Sequence, residues 1–187
     1  MESTRDRILN TALELFAEKG YSAVGTKRIA AAASVNEVTI FRIFRSKRNL
    51  FLEVYRKFSV KFNEEEFLKD IQYILEQDLV RIGRSFSRIY KETNDLIRIS
   101  MKDVRDEFQE ISDDLNLQID MIRNAIAAYF REMEKRGLIR ADCESLAAKL
   151  SGVLYGYAFH LSKTGTLSRL ETDLDDLMRI FAKGLSN

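Results

Sequence analysis

Six basic side chains crowd one short stretch of this sequence: Lys27, Arg28, Arg42, Arg45, Lys47 and Arg48, against the single acid Glu37. Thr26, Asn36 and Thr39 add uncharged hydrogen-bonding groups to the same stretch. Ammonium and guanidinium groups at this density neutralise phosphates, and Arg, Asn and Thr side chains bond base edges. The chemistry on offer is recognition of a polyanion. The apolar residues set its geometry. Ile29, Ala30 and Ala33 form a brief apolar segment that breaks at Ser34-Val35, and Val38, Ile40, Phe41 and Phe44 form a second. Two short helices joined by a tight turn make a helix-turn-helix, whose second helix enters the DNA major groove.

Catalytic inventories do not assemble. The chain holds one histidine, His160, and one cysteine, Cys143, which leaves a histidine-based triad or a zinc site without partners. A helical di-iron centre needs Glu-x-x-His motifs that a single histidine does not supply. There is no phosphate-cradling Walker loop and no dinucleotide fingerprint. The acid runs Glu64-Glu65-Glu66 and Asp113-Asp114 read as solvated helix faces or helix starts. We therefore expect no enzyme activity, no catalytic residue, no metal and no cofactor.

Of the 187 residues 45% are hydrophobic and 32% charged, the balance of a folded globular chain with ample length for a core. No proline and only eight glycines leave too few turn residues for a β-rich fold, so the class is all-α. A lone cysteine suits a reducing cytoplasm, and no apolar run approaches the ~20 residues of a membrane span. Nine Lys/Arg against six Asp/Glu up to Tyr55 give +3, whereas 21 against 23 beyond it give −2. The positive charge is local, as a phosphate-facing surface requires.

The elements that must position this stretch follow in order. Ser3 or Thr4 caps a first helix carrying Ile8, Ala12, Leu15 and Phe16 on one stripe, and Gly20 ends it. Thr26 caps a second helix, Asn36 a third, and Ser46 a fourth with Leu50, Phe51, Val54, Tyr55 and Phe58 inward. Ile29, Ala30, Ile40 and Phe44 read as core. Phe41 reads equally as core or as a surface aromatic, and Arg45 and Arg48 as contacts or solvated charges.

The run from Ile8 to Phe51 resembles the DNA-binding domain of the tetracycline-repressor (TetR) family of bacterial transcription regulators. Ile8, Ala12, Leu15, Phe16, Gly20, Thr26, Ile29, Ala30, Val35, Thr39, Phe41, Phe44, Lys47 and Leu50 carry the likeness. The resemblance implies phosphate contacts at Thr26 and Lys27, groove contacts at Glu37, Val38, Thr39 and Arg42 beside the cap Asn36, and a backbone contact at Lys47. Two positions depart from the pattern. Phe41 replaces the usual tyrosine and Ile43 a tyrosine or histidine, and each loses a polar group that reaches phosphate. Ser34 also replaces the usual turn glycine, at a conformational cost if the backbone there is left-handed. The domain assignment is 1–52 for the DNA-binding domain and 53–187 for a helical sensing and dimerisation domain.

Beyond the head no flexible linker is evident, so the fourth helix is expected to run on into the second domain. Asn63 and Glu66 form a capping box that opens a long helix through Phe67, Ile71, Ile74, Leu75, Ile82, Phe86, Ile89 and Tyr90. Asn94 caps a shorter segment with Leu96, Ile97, Met101 and Val104, and a third stripe runs from Leu115 to Met133. The helix from Asp142 to Thr164 is apolar on two faces, and a last helix follows a break at Gly165. The resemblance implies that these two pair with their twofold mates, through Ala148, Gly152, Tyr155, Gly156, Leu174, Leu177, Met178 and Phe181. Phe86, Tyr90, Ile97, Met101, Met121, Ile122, Tyr129, Tyr155 and Phe159 read either as plain core or, as the resemblance implies, as the lining of a cavity for a small, largely apolar effector. Arg98, Asn124 and His160 are polar candidates near it. The function expected is a cytoplasmic, nucleoid-associated repressor that holds a double-stranded DNA operator as a homodimer. An architectural or cell-division factor without an effector, and a helical interaction module, are the alternatives.

Overall fold

The computed structural model describes residues 2–103 and 108–185. Among these every regular element is a helix: α1 (Thr4–Lys19), α2 (Thr26–Ala32), α3 (Glu37–Phe44), α4 (Lys47–Phe58), α5 (Glu64–Phe67), α6 (Leu75–Asp103), α7 (Gln109–Lys135), α8 (Cys143–Thr164) and α9 (Leu170–Leu185), with a 3-10 turn at Leu167–Arg169. The all-α class is as expected from the missing proline. Compactness divides the chain into two units, Met1–Val60 with Glu92–Leu115, and Lys61–Lys91 with Asn116–Asn187. Both α6 and α7 thus give residues to each unit.

In the first unit, local chemistry sets the helix ends. Ser3 accepts from the Asp6 amide, Asn36 from the Val38 amide and Ser46 from the Asn49 amide, the three side-chain caps that the sequence suggested. Gly20 closes α1 at φ 87°. Thr26 is not a cap: Gly25 holds that place without a side-chain bond, and Thr26 is the first helical residue. Ser34 does adopt φ 53°, so the turn carries a left-handed serine where glycine would be relaxed. Arg7 Nε braces that turn with a 2.9 Å bond to the Ala33 carbonyl.

Helices α1 to α4 pack around Ile8, Ala12, Phe16, Ile29, Ile40, Leu50 and Val54, none of them exposed to solvent. Burying the Ile, Phe, Leu and Val side chains among them contributes roughly 1.5–3 kcal/mol each. Phe108, just before α7, completes this core. Its ring lies 4.7 Å from that of Phe51 and 4.9 Å from that of Tyr21, both nearly edge-on. At the end of α6, Lys102 Nζ donates to the Ala17 and Glu18 carbonyls at 2.9 and 2.5 Å, which satisfies the last turn of α1.

Three expectations about the middle of the chain give way. Helix α4 ends at Phe58 with Ser59 extended, so it does not run on. The Asn63 cap is real, accepting from the Glu66 amide at 3.0 Å, but α5 is only four residues long. The long helix starts at Leu75, after left-handed Asp70 and Tyr73 turn the chain. Asn94 lies inside α6, because the tertiary stripe continues through it. Val104 lies outside the described residues.

In the second unit, α8 and α9 begin and end as read: Asp142 caps α8 through the Ser145 amide, and left-handed Gly165 (φ 74°) closes it. Asp78 is fully buried here and fully employed. It accepts from the Gln72 amide at 2.9 Å, from the Tyr129 hydroxyl at 3.3 Å and from Arg81 at 3.3 Å. The carboxylate ties the segment before α6 to α6 and α7. A buried charge is tolerated only with such a set of partners. Gly83 lets α9 approach closely, since a Cβ there would meet Met178 Cγ at 3.0 Å.

Candidate nucleic-acid interface

Helix α3 presents two faces with different chemistry. Ile40 and Phe44 are buried, while Val38 is 71% and Phe41 45% exposed and Arg42 is exposed beside them. Phe41, open at the sequence level, is therefore a surface aromatic. Asn36 caps the helix at its exposed start. Thr39 and Glu37 are half-buried at the edge of the face.

Across the turn, Thr26 Oγ1 donates to Glu37 Oε1 at 2.6 Å. Two residues assigned separate roles on DNA are thus bonded to each other, and Glu37 is aimed by Thr26. Lys27 and Arg28 are exposed in the first turn of α2. At the first turn of α4, Lys47 Nζ lies 4.0 Å above the Tyr21 ring, a cation–ring contact that helps hold the ammonium in place.

The remaining cations separate by their partners. Arg48 pairs with Glu110 at 3.2 Å and covers the Phe108 ring at 5.3 Å, so it works inside this unit. Arg45 is exposed at φ 69°, closing α3. Ile43, which departs from the family pattern, is half-buried in a cleft of about 250 Å³ that Arg45, Asn49 and Arg56 also line. Sequence reasoning counted Arg28 and Arg45 in the basic stretch, left Arg45 open between contact and solvated charge, and missed the Tyr21 ring beside Lys47. Charge alone marked both arginines, but only their surroundings separate them from Arg48.

The other assigned residues scatter more. Phe86, Tyr90, Ile122 and Tyr129 are buried in the second unit, with Tyr155 and Phe159 half-buried beside them. Ile97 and Met101 belong to the first unit, and Met101 is 51% exposed. Met121 is 41% exposed and Asn124 exposed, so neither faces an interior. Arg98 and His160 also lie at the surface. On α8, Ala148, Gly152 and Gly156 are exposed, and on α9 Leu177 and Phe181 are half-buried. Leu174 and Met178, expected on the same outer face, are instead fully buried against the Gly83 side of α6. Val153 and Ile180, 42% and 68% exposed, lie on the open parts of α8 and α9.

Two short helices, one exposing a mixed aromatic, aliphatic and cationic face on a rigid four-helix support, define a helix-turn-helix DNA-binding protein. Residues 8–54 match the family described as bacterial regulatory proteins, tetR family. Over 190 residues the chain is 30% identical to the uncharacterized HTH-type transcriptional regulator YvkB of Bacillus subtilis (strain 168), covering 100% of this chain and 99% of that one. Over 88 residues it is 34% identical to the HTH-type transcriptional regulator QacR of Staphylococcus aureus (strain Mu50), covering 47% and 43%. Its fold superposes on NalD, the secondary repressor of the MexAB-OprM multidrug efflux pump in Pseudomonas aeruginosa, with a TM-score of 0.71 at 22% identity, covering 98% of this chain and 97% of that one. The chain belongs to the TetR family of transcriptional regulators.

Proposed function

We propose that this regulator is a repressor that binds a pseudo-palindromic operator as a homodimer and leaves it when a small, largely apolar ligand enters the second unit. The observation that carries the reading is the outward face of α3, where Val38, Phe41 and Arg42 stand exposed on a buried Ile40–Phe44 base. A rigid base lets these side chains meet base edges in one register. Lys27 and Lys47 hold phosphates on either side, with Thr26 and Asn36 fixing the loops between them. The exposed Ala148, Gly152 and Gly156 of α8, with Ile180 and Phe181 of α9, support a twofold pairing, since small residues admit a neighbouring helix. Pairing two heads places recognition helices roughly 34–36 Å apart, in successive major grooves.

Release follows from differential affinity. A ligand that favours a dimer geometry with misplaced heads lowers operator affinity a hundredfold with about 2.7 kcal/mol of preference. Selection of bound sequences from a random double-stranded DNA pool tests the reading. Enrichment of an inverted repeat with half-sites about 10–10.5 base pairs apart, centre to centre, is the expected result. Absence of any enriched repeat at low salt overturns it.

A further inference from the structure

Two serine hydroxyls inside the second unit lack any hydrogen-bond partner. Ser87 of α6 is fully buried and Ser151 of α8 is 5% exposed, and neither Oγ finds a donor or acceptor. Helical hydroxyls ordinarily settle on a carbonyl one turn back. This chain shows the habit elsewhere: Ser100 Oγ donates to the Ile97 carbonyl at 2.8 Å, and Thr164 Oγ1 to the His160 carbonyl at 3.1 Å. Buried polar atoms left open are uncommon in native proteins and call for a physical reason.

The surroundings of these two hydroxyls supply one. Ser87 follows Phe86 and precedes Tyr90 by three residues, and Ser151 lies one helical turn before Tyr155. The Phe86 and Tyr155 rings meet edge-on at 4.9 Å, and those of Tyr90 and Tyr155 at 6.4 Å. The two helices therefore come together at an aromatic cluster, and each carries its open serine within about one helical turn of a ring of that cluster. Burial pushes the Tyr90 hydroxyl up to about 12 and that of Tyr155 higher still, so both rings stay neutral.

Charge narrows the ligand further. Among the described residues of this unit the only fully buried charged side chain is Asp78, already occupied by Gln72, Arg81 and Tyr129. No buried cation faces the cluster to compensate a carboxylate or phosphate, whose desolvation would go unrepaid. A serine hydroxyl both donates and accepts, so it suits a neutral carbonyl, ether or hydroxyl.

We propose that the α6–α8 aromatic cluster binds an uncharged aromatic molecule bearing a hydrogen-bond acceptor, which the Ser87 and Ser151 hydroxyls hold. This rests on the effector reading above and names the chemistry of that effector. The hydroxyls stay open in the free protein and are satisfied on binding, which gives the ligand a contact that an aliphatic competitor lacks.

The test uses the full chain and two naphthalene dyes. Prodan, 6-propionyl-2-dimethylaminonaphthalene, is uncharged, and its emission moves to the red when its carbonyl accepts hydrogen bonds. The other, 1-anilinonaphthalene-8-sulfonate, has similar rings and a fixed negative charge. The parent protein should bind Prodan at least about tenfold more tightly than the sulfonate, a ratio set by the unpaired charge. Ser87→Ala and Ser151→Ala should each weaken Prodan roughly 2- to 10-fold and move its emission to the blue. Without dye, each alanine variant should melt no lower than the parent, because it removes an unpaired group. Unchanged affinity and emission, or a lowered melting temperature, overturns the role of the hydroxyls while leaving the effector reading intact. Preference for the sulfonate overturns the charge assignment. If neither dye binds a parent protein that still binds its operator, the effector reading falls with the proposal.

Discussion

The Thr26 hydroxyl donates to the Glu37 carboxylate at 2.6 Å, joining the first residue of α2 to the first residue of α3. The bond fixes an acid at the edge of an otherwise cationic surface. An acid there repels phosphates, but a carboxylate can accept from a base edge such as cytosine N4.

Glu37→Ala should therefore lower discrimination at one base position by roughly 1–3 kcal/mol. Affinity for random DNA should not fall, because a negative charge is lost. Competition binding with single-position operator variants measures both quantities. A uniform loss across all sequences would show that Glu37 serves only to hold Thr26.

Arg42 and Lys47 should separate by their salt dependence. Arg42→Ala should relax preference at one position, whereas Lys47→Ala should weaken every sequence alike and flatten the salt slope by about 1. Filter binding across a salt series distinguishes them. If both variants bind as the parent does, the assignment of the α3 face is wrong.

Val153 and Ile180, with 42% and 68% exposure, test the pairing surface. Val153→Asp with Ile180→Asp should shift sedimentation from dimer to monomer without lowering helix content. Operator affinity should fall by several orders of magnitude, since a single head loses the second half-site. A dimer that persists moves the pairing surface elsewhere.

Phe108 is a core residue of the first unit although it lies far along the chain from α1 and α4. Phe108→Ala should destabilise the protein by about 3–5 kcal/mol through lost contact and a cavity. Denaturant unfolding followed by circular dichroism provides the number. A cost below about 1 kcal/mol would mean that the ring does not fill the Tyr21–Phe51 gap.

Alkaline titration checks the buried tyrosines. Burial raises Tyr90 to about 12 and pushes Tyr129 and Tyr155 further in the same direction. Folded values above unfolded ones mean that the stabilising contribution is complete below about pH 10 and fades as pH rises through the folded values. Absorbance at 295 nm should show these rings ionising only together with unfolding, at and above the Tyr90 value. Titration of all seven tyrosines near pH 10 in a folded protein would contradict the burial.

Much of the head could be read from the chain because its signals are local. Caps at Ser3, Asn36 and Ser46, the closing Gly20 and the stripe Ile8–Ala12–Phe16 each act over one or two helical turns. The asymmetry of charge around residues 27–48 marked the candidate interface for the same reason. Between residues 59 and 75 the reading failed, because a good capping box starts a helix but does not say how long it lasts. Its length depends on where an apolar stripe finds a partner, and α6 found one only from Leu75 onward.

What the sequence alone determined was the all-α class, the helix-turn-helix and the cationic residues that can meet DNA, since propensity, capping and charge belong to neighbouring residues. Tertiary structure decided which of those residues remain available. It gave Arg48 to Glu110 and Phe108, held Lys47 over Tyr21, bonded Thr26 to Glu37 and turned Leu174 and Met178 inward. Those outcomes depend on partners far apart along the chain, Arg48 with Glu110 and Met178 beside Gly83, whose distance in space no local pattern encodes.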